Sequence, residues 1–151
     1  MAASASLKLL ANAIDHHGAD PNEVDELGRT PLMLACSYAV STTVVALLLR
    51  KGADPRAMSK SGWVPLHFVA LNNTSDAAPE MCRLLLEAGA DPTVVTDNRQ
   101  TAITLAKSVQ ASRPQLRSRA IIALLEKWIG REYPGKADMS QLVVRAAPGL
   151  G

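Results

Sequence analysis

A chain of 151 residues in which 48% are apolar has the length of one domain and too much apolar character to stay unfolded. Phe, Trp and Tyr make up only 3% of it, against 24 Ala and 20 Leu, so its core must be aliphatic and closely spaced, which speaks for thin stacked helices over a β-sandwich or barrel. The net charge of +2 divides into −3 over residues 1–30 and +5 over residues 107–136, and this acidic start and basic end predict an electrostatic gradient along an elongated fold. Apolar runs such as Val44 to Leu49 are far too short to cross a bilayer, and Met1 to Ser6 carries no secretory leader pattern. Two cysteines, Cys36 and Cys82, are too few for a disulfide framework, which makes a reducing cytosol or nucleus the expected compartment.

Taken in chain order, a helix is predicted over Ser6 to His17, stopped by Gly18 in Gly18-Ala19-Asp20-Pro21. A hairpin-like loop with Gly28 leads to Thr30-Pro31, an N-cap followed by a proline at the first helical position, where its missing N–H costs nothing. The run Leu47-Leu48-Leu49 marks a second helix that ends at Gly52, and a loop with Gly62 leads to Val64-Pro65. Val64 lacks a capping hydroxyl, which should weaken that helix start by roughly 1 kcal/mol. A polar loop, Asn72 to Pro79, separates it from a helix bearing Leu84-Leu85-Leu86, which stops at Gly89. Arg99 then stands where the earlier loops have Gly, so Asn98 or Arg99 must take a positive φ before the next start at Thr101. Ser112-Arg113-Pro114 interrupts the last unit, whose final helix is predicted to end at Lys127-Trp128-Ile129, ahead of a breaker stretch from Arg131 to Gly135. Beyond it, Asp138 suits a short helix cap and Leu142-Val143-Val144 a strand, two readings left open, and Ala146 to Gly151 reads as a flexible terminus.

These elements form a repeat. Gly-Ala-Asp-Pro recurs at 18, 52 and 89, spaced by 34 and 37 residues, in constant phase with Thr30-Pro31-Leu32, Val64-Pro65-Leu66 and Thr101-Ala102-Ile103. Neither helix of such a unit can hide its apolar stripe alone, so units must stack, with stability held in nearest-neighbour interfaces. In its order and spacing the pattern resembles the ankyrin repeat family. The resemblance implies an all-α solenoid of about three to four helix-turn-helix units joined by hairpin loops. It divides the chain into a repeat domain over 1–130 and a partly flexible tail over 131–151. Within the domain lie a half repeat at 6–29, repeats at 30–63 and 64–100, and a divergent unit at 101–130.

The resemblance further implies a protein or peptide partner met by hairpin tips and by the concave face of each unit's first helix. In the first full unit those positions are Val24, Glu26, Leu27, Arg29, Ser37 and Tyr38; in the second, Met58, Lys60, Ser61, Trp63, Leu71 and Asn72. The last unit contributes Val95, Asp97, Asn98, Gln100, Ser108 and Val109. Tyr38 and Trp63 stand out as aromatic anchors of the kind that protein interfaces favour, although Trp63 would serve equally by packing on the neighbouring hairpin. Phe68 is expected on the buried stripe, and Trp128 is expected to close the last unit.

Signals for chemistry are weak. His16-His17 beside Asp15 and Asp20 has ligand types, but adjacent helical positions diverge, and no metal or cofactor is expected. His67 is expected to make a structural hydrogen bond between units, and the two cysteines to be small buried hydrophobes. Phosphate-loop, dinucleotide, nucleophile-elbow and zinc-protease motifs are missing from the sequence, which points away from an enzyme. Arg113, Arg117, Arg119, Lys127 and Arg131 make the last unit basic, yet no reading helix or stacking platform accompanies them, which argues against nucleic acid. A non-catalytic adaptor or scaffold, monomeric alone, is the leading expectation; a regulatory subunit of an enzyme complex needs the same surface.

Overall fold

The computed structural model describes residues 2–16, 18–38, 41–71, 76–114 and 118–132, with side chains from Lys8 to Arg131. Among them are α1 (Ala2–Asp15), α2 (Pro31–Ser37), α3 (Thr42–Arg50), α4 (Pro65–Leu71), α5 (Ala78–Glu87), α6 (Ala102–Ser112) and α7 (Ser118–Glu132), and no strand. The helices pack in two rows. One runs α2, α4, α6 and the other α1, α3, α5, α7, and each full unit also pairs its own two helices. A single aliphatic core threads all of them, from Leu10 and Ala13 through Leu34, Val45, Leu48, Leu66 and Val69 to Leu85, Ile103, Ile121 and Leu125. Small residues such as Ala35, Ala70 and Ala106 are almost fully buried where first helices meet, which lets two-turn helices approach closely and explains the scarcity of rings. None of the described helices is long and apolar enough to cross a membrane.

Each first helix starts with a different solution to the same problem of orphan backbone donors. Thr30 Oγ1 accepts from the Met33 N–H at 3.3 Å. At α6 the bond is reciprocal, with Thr101 Oγ1 accepting from the Thr104 N–H and Thr104 Oγ1 from the Thr101 N–H. At α4, where Val64 offers no hydroxyl, His67 Nδ1 accepts from the Val64 N–H at 3.0 Å and supplies half of that box. The donor that a hydroxyl at Val64 would have taken, the His67 N–H, turns instead to the Val64 carbonyl at 3.0 Å.

The helix stops explain the repeated tetrapeptide. Gly52 and Gly89 have φ of +97° and +107°, and their N–H groups reach the carbonyls of Leu49 and Leu86. The N–H of the following Ala53 or Ala90 reaches back to Leu48 or Leu85, completing the two-bond closure of a helix C-terminus, with the alanine methyl buried. The aspartate next turns the chain: Asp20, Asp54 and Asp91 each accept at Oδ1 from the backbone N–H two residues on.

Three helices have boundaries that differ from the sequence reading. Helix α1 begins at Ala2 rather than Ser6, because Ala2, Ala3 and Ala5 extend it at little entropic cost, and it ends at Asp15. Helix α5 takes in Ala78 and Pro79, which the sequence suggested as loop, since proline is tolerated in a first helical turn. Helix α7 continues through Gly130 and Arg131 to Glu132 instead of ending at Ile129, with the Arg131 guanidinium 5.5 Å from the Trp128 ring one turn back and a cation favoured in the last turn. His17, the polar stretch 72–75 and everything expected of 133–151 lie outside the described residues.

Candidate binding groove

The loops joining successive units share one hydrogen-bonded frame. The N–H groups of Asp25, Ser59 and Thr96 donate to the carbonyls four residues on, at Arg29, Trp63 and Gln100. Their side-chain oxygens accept from the N–H of those same residues, at 2.9, 3.2 and 3.2 Å. The residue before each of those is left-handed: Gly28 at +75°, Gly62 at +77°, and Arg99 at +60° where the sequence left Asn98 or Arg99 open. Neighbouring hairpins are then tied by their backbones, Lys60 N–H to Leu27 O at 3.0 Å and Asp97 N–H to Ser61 O at 3.2 Å. This closeness leaves no room at Gly62, where a Cβ would sit 2.7 Å from Asp97 Oδ1.

Between the hairpins and α4 the surface sinks into a hollow of about 320 Å³. Leu27, Arg29, Ser37, Ser61, Trp63 and Leu71, all expected from the sequence, converge on it. Two lining residues were not expected. Ser59 was hidden by its frame role, although its equivalence with Asp25 and Thr96 is readable. Phe68 is half-buried rather than buried, because Trp63 covers only part of its ring, with centroids 5.2 Å apart and planes at 47°. Trp63 also meets His67 edge-on at 5.8 Å, so it is half-buried, packing on α4 while turning toward the hollow. Leu27 and Leu71 at its mouth are 57% and 40% exposed, a state that costs apolar hydration unless something covers them.

The other expected positions fall elsewhere. Tyr38 caps the C-terminus of α2 and is exposed outside the hollow. Glu26, Met58, Lys60, Asp97 and Asn98 are exposed along the hairpins, as is Val24, while Gln100 and Val95 are half-buried. Asn72 lies outside the described residues. A second hollow, of about 360 Å³, shares Leu71 with the first and continues along α6, lined by Ser108, Val109, Ser112 and Arg113.

The ionisable groups nearby serve the frame. Partial burial raises the Asp25 carboxyl, but hydrogen bonds from the Arg29 backbone and guanidinium and from the Leu27 N–H outweigh it and hold the group below its ordinary value. Arg29 Nε is 2.9 Å from Asp25 Oδ2. His67 is pushed down from its ordinary value by burial, against the raising effect of carbonyl partners, and its Nε2 lies 2.9 Å from Val94 O. Since Nδ1 accepts from Val64, Nε2 carries the proton and donates to Val94, which ties α4 to the next loop. Burial pushes both thiols up, Cys82 to about 12 and Cys36 further, so neither offers a reactive thiolate.

A family model described as ankyrin repeats in three copies matches residues 1–96. The chain belongs to the ankyrin repeat family. Ankyrin repeats are protein-interaction modules and are typically non-catalytic. The putative E3 ubiquitin-protein ligase XBAT34 of Arabidopsis thaliana is 33% identical over 127 residues, covering 83% of this ankyrin chain and 32% of the ligase. An ankyrin repeat-containing protein of Schizosaccharomyces pombe is 34% identical over 87 residues, 56% of this chain and 37% of its own. Human BCL-6 corepressor-like protein 1 is 38% identical over 89 residues, 59% of this chain and 5% of its own. The chain thus spans little more than a third, or less, of these relatives' length.

Proposed function

We propose that this ankyrin repeat chain is a non-catalytic adaptor or scaffold that captures a protein or peptide through its hairpin tips and the groove they flank. The observation that carries the reading is the convergence of Leu27, Trp63, Phe68 and Leu71 on one hollow, with both leucines left exposed. Partly desolvated aromatic groups surrounded by apolar rims are where interfaces concentrate their binding energy. On the proposed unit division, 6–29, 30–63, 64–100 and 101–130, this groove draws on the half repeat and the first two full repeats. The two buried, unpaired cysteines fit a reducing compartment such as cytosol or nucleus.

A second reading draws on the relatives, among which are putative ubiquitin ligases and a tyrosine-protein kinase of Hydra vulgaris. On it, the repeat stack works beside catalytic machinery and presents a target or holds a regulatory partner. Co-precipitation from lysate with the wild type and with the exposed double variant Leu27→Ser/Leu71→Ser tests the shared premise. Partners that vanish with the variant, at an unchanged melting temperature, support the groove. Partners retained in full rule it out. Whether the retrieved set contains ligase or kinase subunits separates the two readings.

A further inference from the structure

If the groove is the partner site, the chemistry of its wall selects among partners. Among the described residues, no Asp or Glu lines either hollow. The first hollow is apolar at Leu27, Trp63, Phe68 and Leu71, and its guanidinium, Arg29, is already engaged with Asp25 of the same hairpin. The second hollow differs. Leu71 joins it to the first, Ser108 and Ser112 offer hydroxyls, and Arg113 closes it as the last residue of the groove, exposed at the C-cap of α6. No carboxylate among the described residues pairs with Arg113, and the chain around it is the basic end of the molecule. An apolar hollow that shares its Leu71 wall with a hydroxyl-lined hollow bearing a guanidinium, and no acid among the described residues, is complementary to a segment that is itself apolar at one point and anionic a few residues away.

We propose, on the reading that the groove binds the partner, that it takes an extended peptide that seats a bulky apolar side chain among Leu27, Trp63, Phe68 and Leu71 and places an Asp or Glu beside Arg113. The apolar side chain supplies most of the affinity by leaving water. The acid sets direction and discriminates against basic segments, for which Arg113 is repulsive.

The test is selection of a displayed library of random short peptides on the full chain. Individual recovered peptides are then titrated by Trp fluorescence or calorimetry against the wild type, Leu27→Ser/Leu71→Ser and Arg113→Glu. All three positions are exposed, and equal melting temperatures establish that the variants fold. Expected are sequences with one large apolar residue and net negative charge, lost with the leucine pair and weakened roughly fivefold by Arg113→Glu. Peptides that need the leucines but are neutral or basic, or that ignore Arg113→Glu, overturn the acidic partner while leaving the groove in place. Peptides indifferent to the leucine pair, or no enrichment at all, overturn the groove as well.

Discussion

His67 shows how much one side chain can carry. Its ring closes the start of α4 through Nδ1, holds the next loop through Nε2 and supports the edge of Trp63, all while 1% exposed. These roles need the neutral form, and burial lowers its pKa below the ordinary 6.5. The unfolded chain therefore takes up the proton first, so the stability this residue contributes is complete above about pH 6.5 and is lost as pH falls through the folded value. The next unit has Thr104 at the same place, making the reciprocal cap by hydroxyl. His67→Thr should melt lower than the wild type near pH 7.5, by roughly 1 kcal/mol or more for the lost bond to Val94, and the gap should narrow by about pH 5. Melting curves of both proteins at the two pH values check it; a gap that widens in acid contradicts it. Most of this was only partly legible. The family resemblance implies His67 as a link between units, but a ring that takes the Val64 N–H, as the Thr104 hydroxyl takes that of Thr101, is visible only once the two share a helix turn.

At the scale of the element, the starts of α2, α4 and α6 and the stops of α3 and α5 were readable because they are written locally, whereas the ends of α1, the start of α5 and the end of α7, which lack such signals, were not. Thr-Pro, Gly-Ala-Asp-Pro and the left-handed position before each new helix act within a few residues, and their backbone geometry follows directly. What sequence could not give is how far one element reaches over the next. Phe68 has the spacing of a core residue, yet its exposure depends on where Trp63 of the preceding loop lands. A second example is Lys51, whose Nζ donates to the carbonyls of Ala13 at 3.2 Å and Ile14 at 2.5 Å, so that one unit caps the terminal helix of the unit before it. Lys51→Met keeps the stem and removes the donor. It should cost about 1 kcal/mol, with amide exchange quickening in α1 and unchanged in α4 to α7. Uniform acceleration through all helices would show that α1 does not open separately.

The whole molecule separates what holds it from what it presents. Two rows of helices share one core, and the tips of the hairpins contribute nothing to it: the side chains of Glu26, Leu27, Lys60, Asp97 and Asn98 are exposed and make no hydrogen bond among the described residues. Replacing these five together with serine should therefore shift the melting temperature by no more than about 10 °C, each exposed change being worth at most about 0.5 kcal/mol and the five at most about 2.5 kcal/mol, while capture of a partner is lost. A steep fall in melting temperature would mean that the tips are structural. The candidate site was half legible for the same reason. Which residues stand on loops is a matter of phase, but which of them converge, with Tyr38 left outside and Ser59 and Phe68 brought in, depends on how the units stack.

The hairpins are joined through Lys60 N–H and Leu27 O, and through Asp97 N–H and Ser61 O, atoms that belong to the peptide group and are present whatever amino acid other than proline stands at the donor positions. Mutation at these positions changes what the molecule displays without touching the ladder that aligns it. A lineage can thus drift from one partner to another by single substitutions, with every intermediate still folded, because the scaffold is blind to the residues through which selection for binding would act.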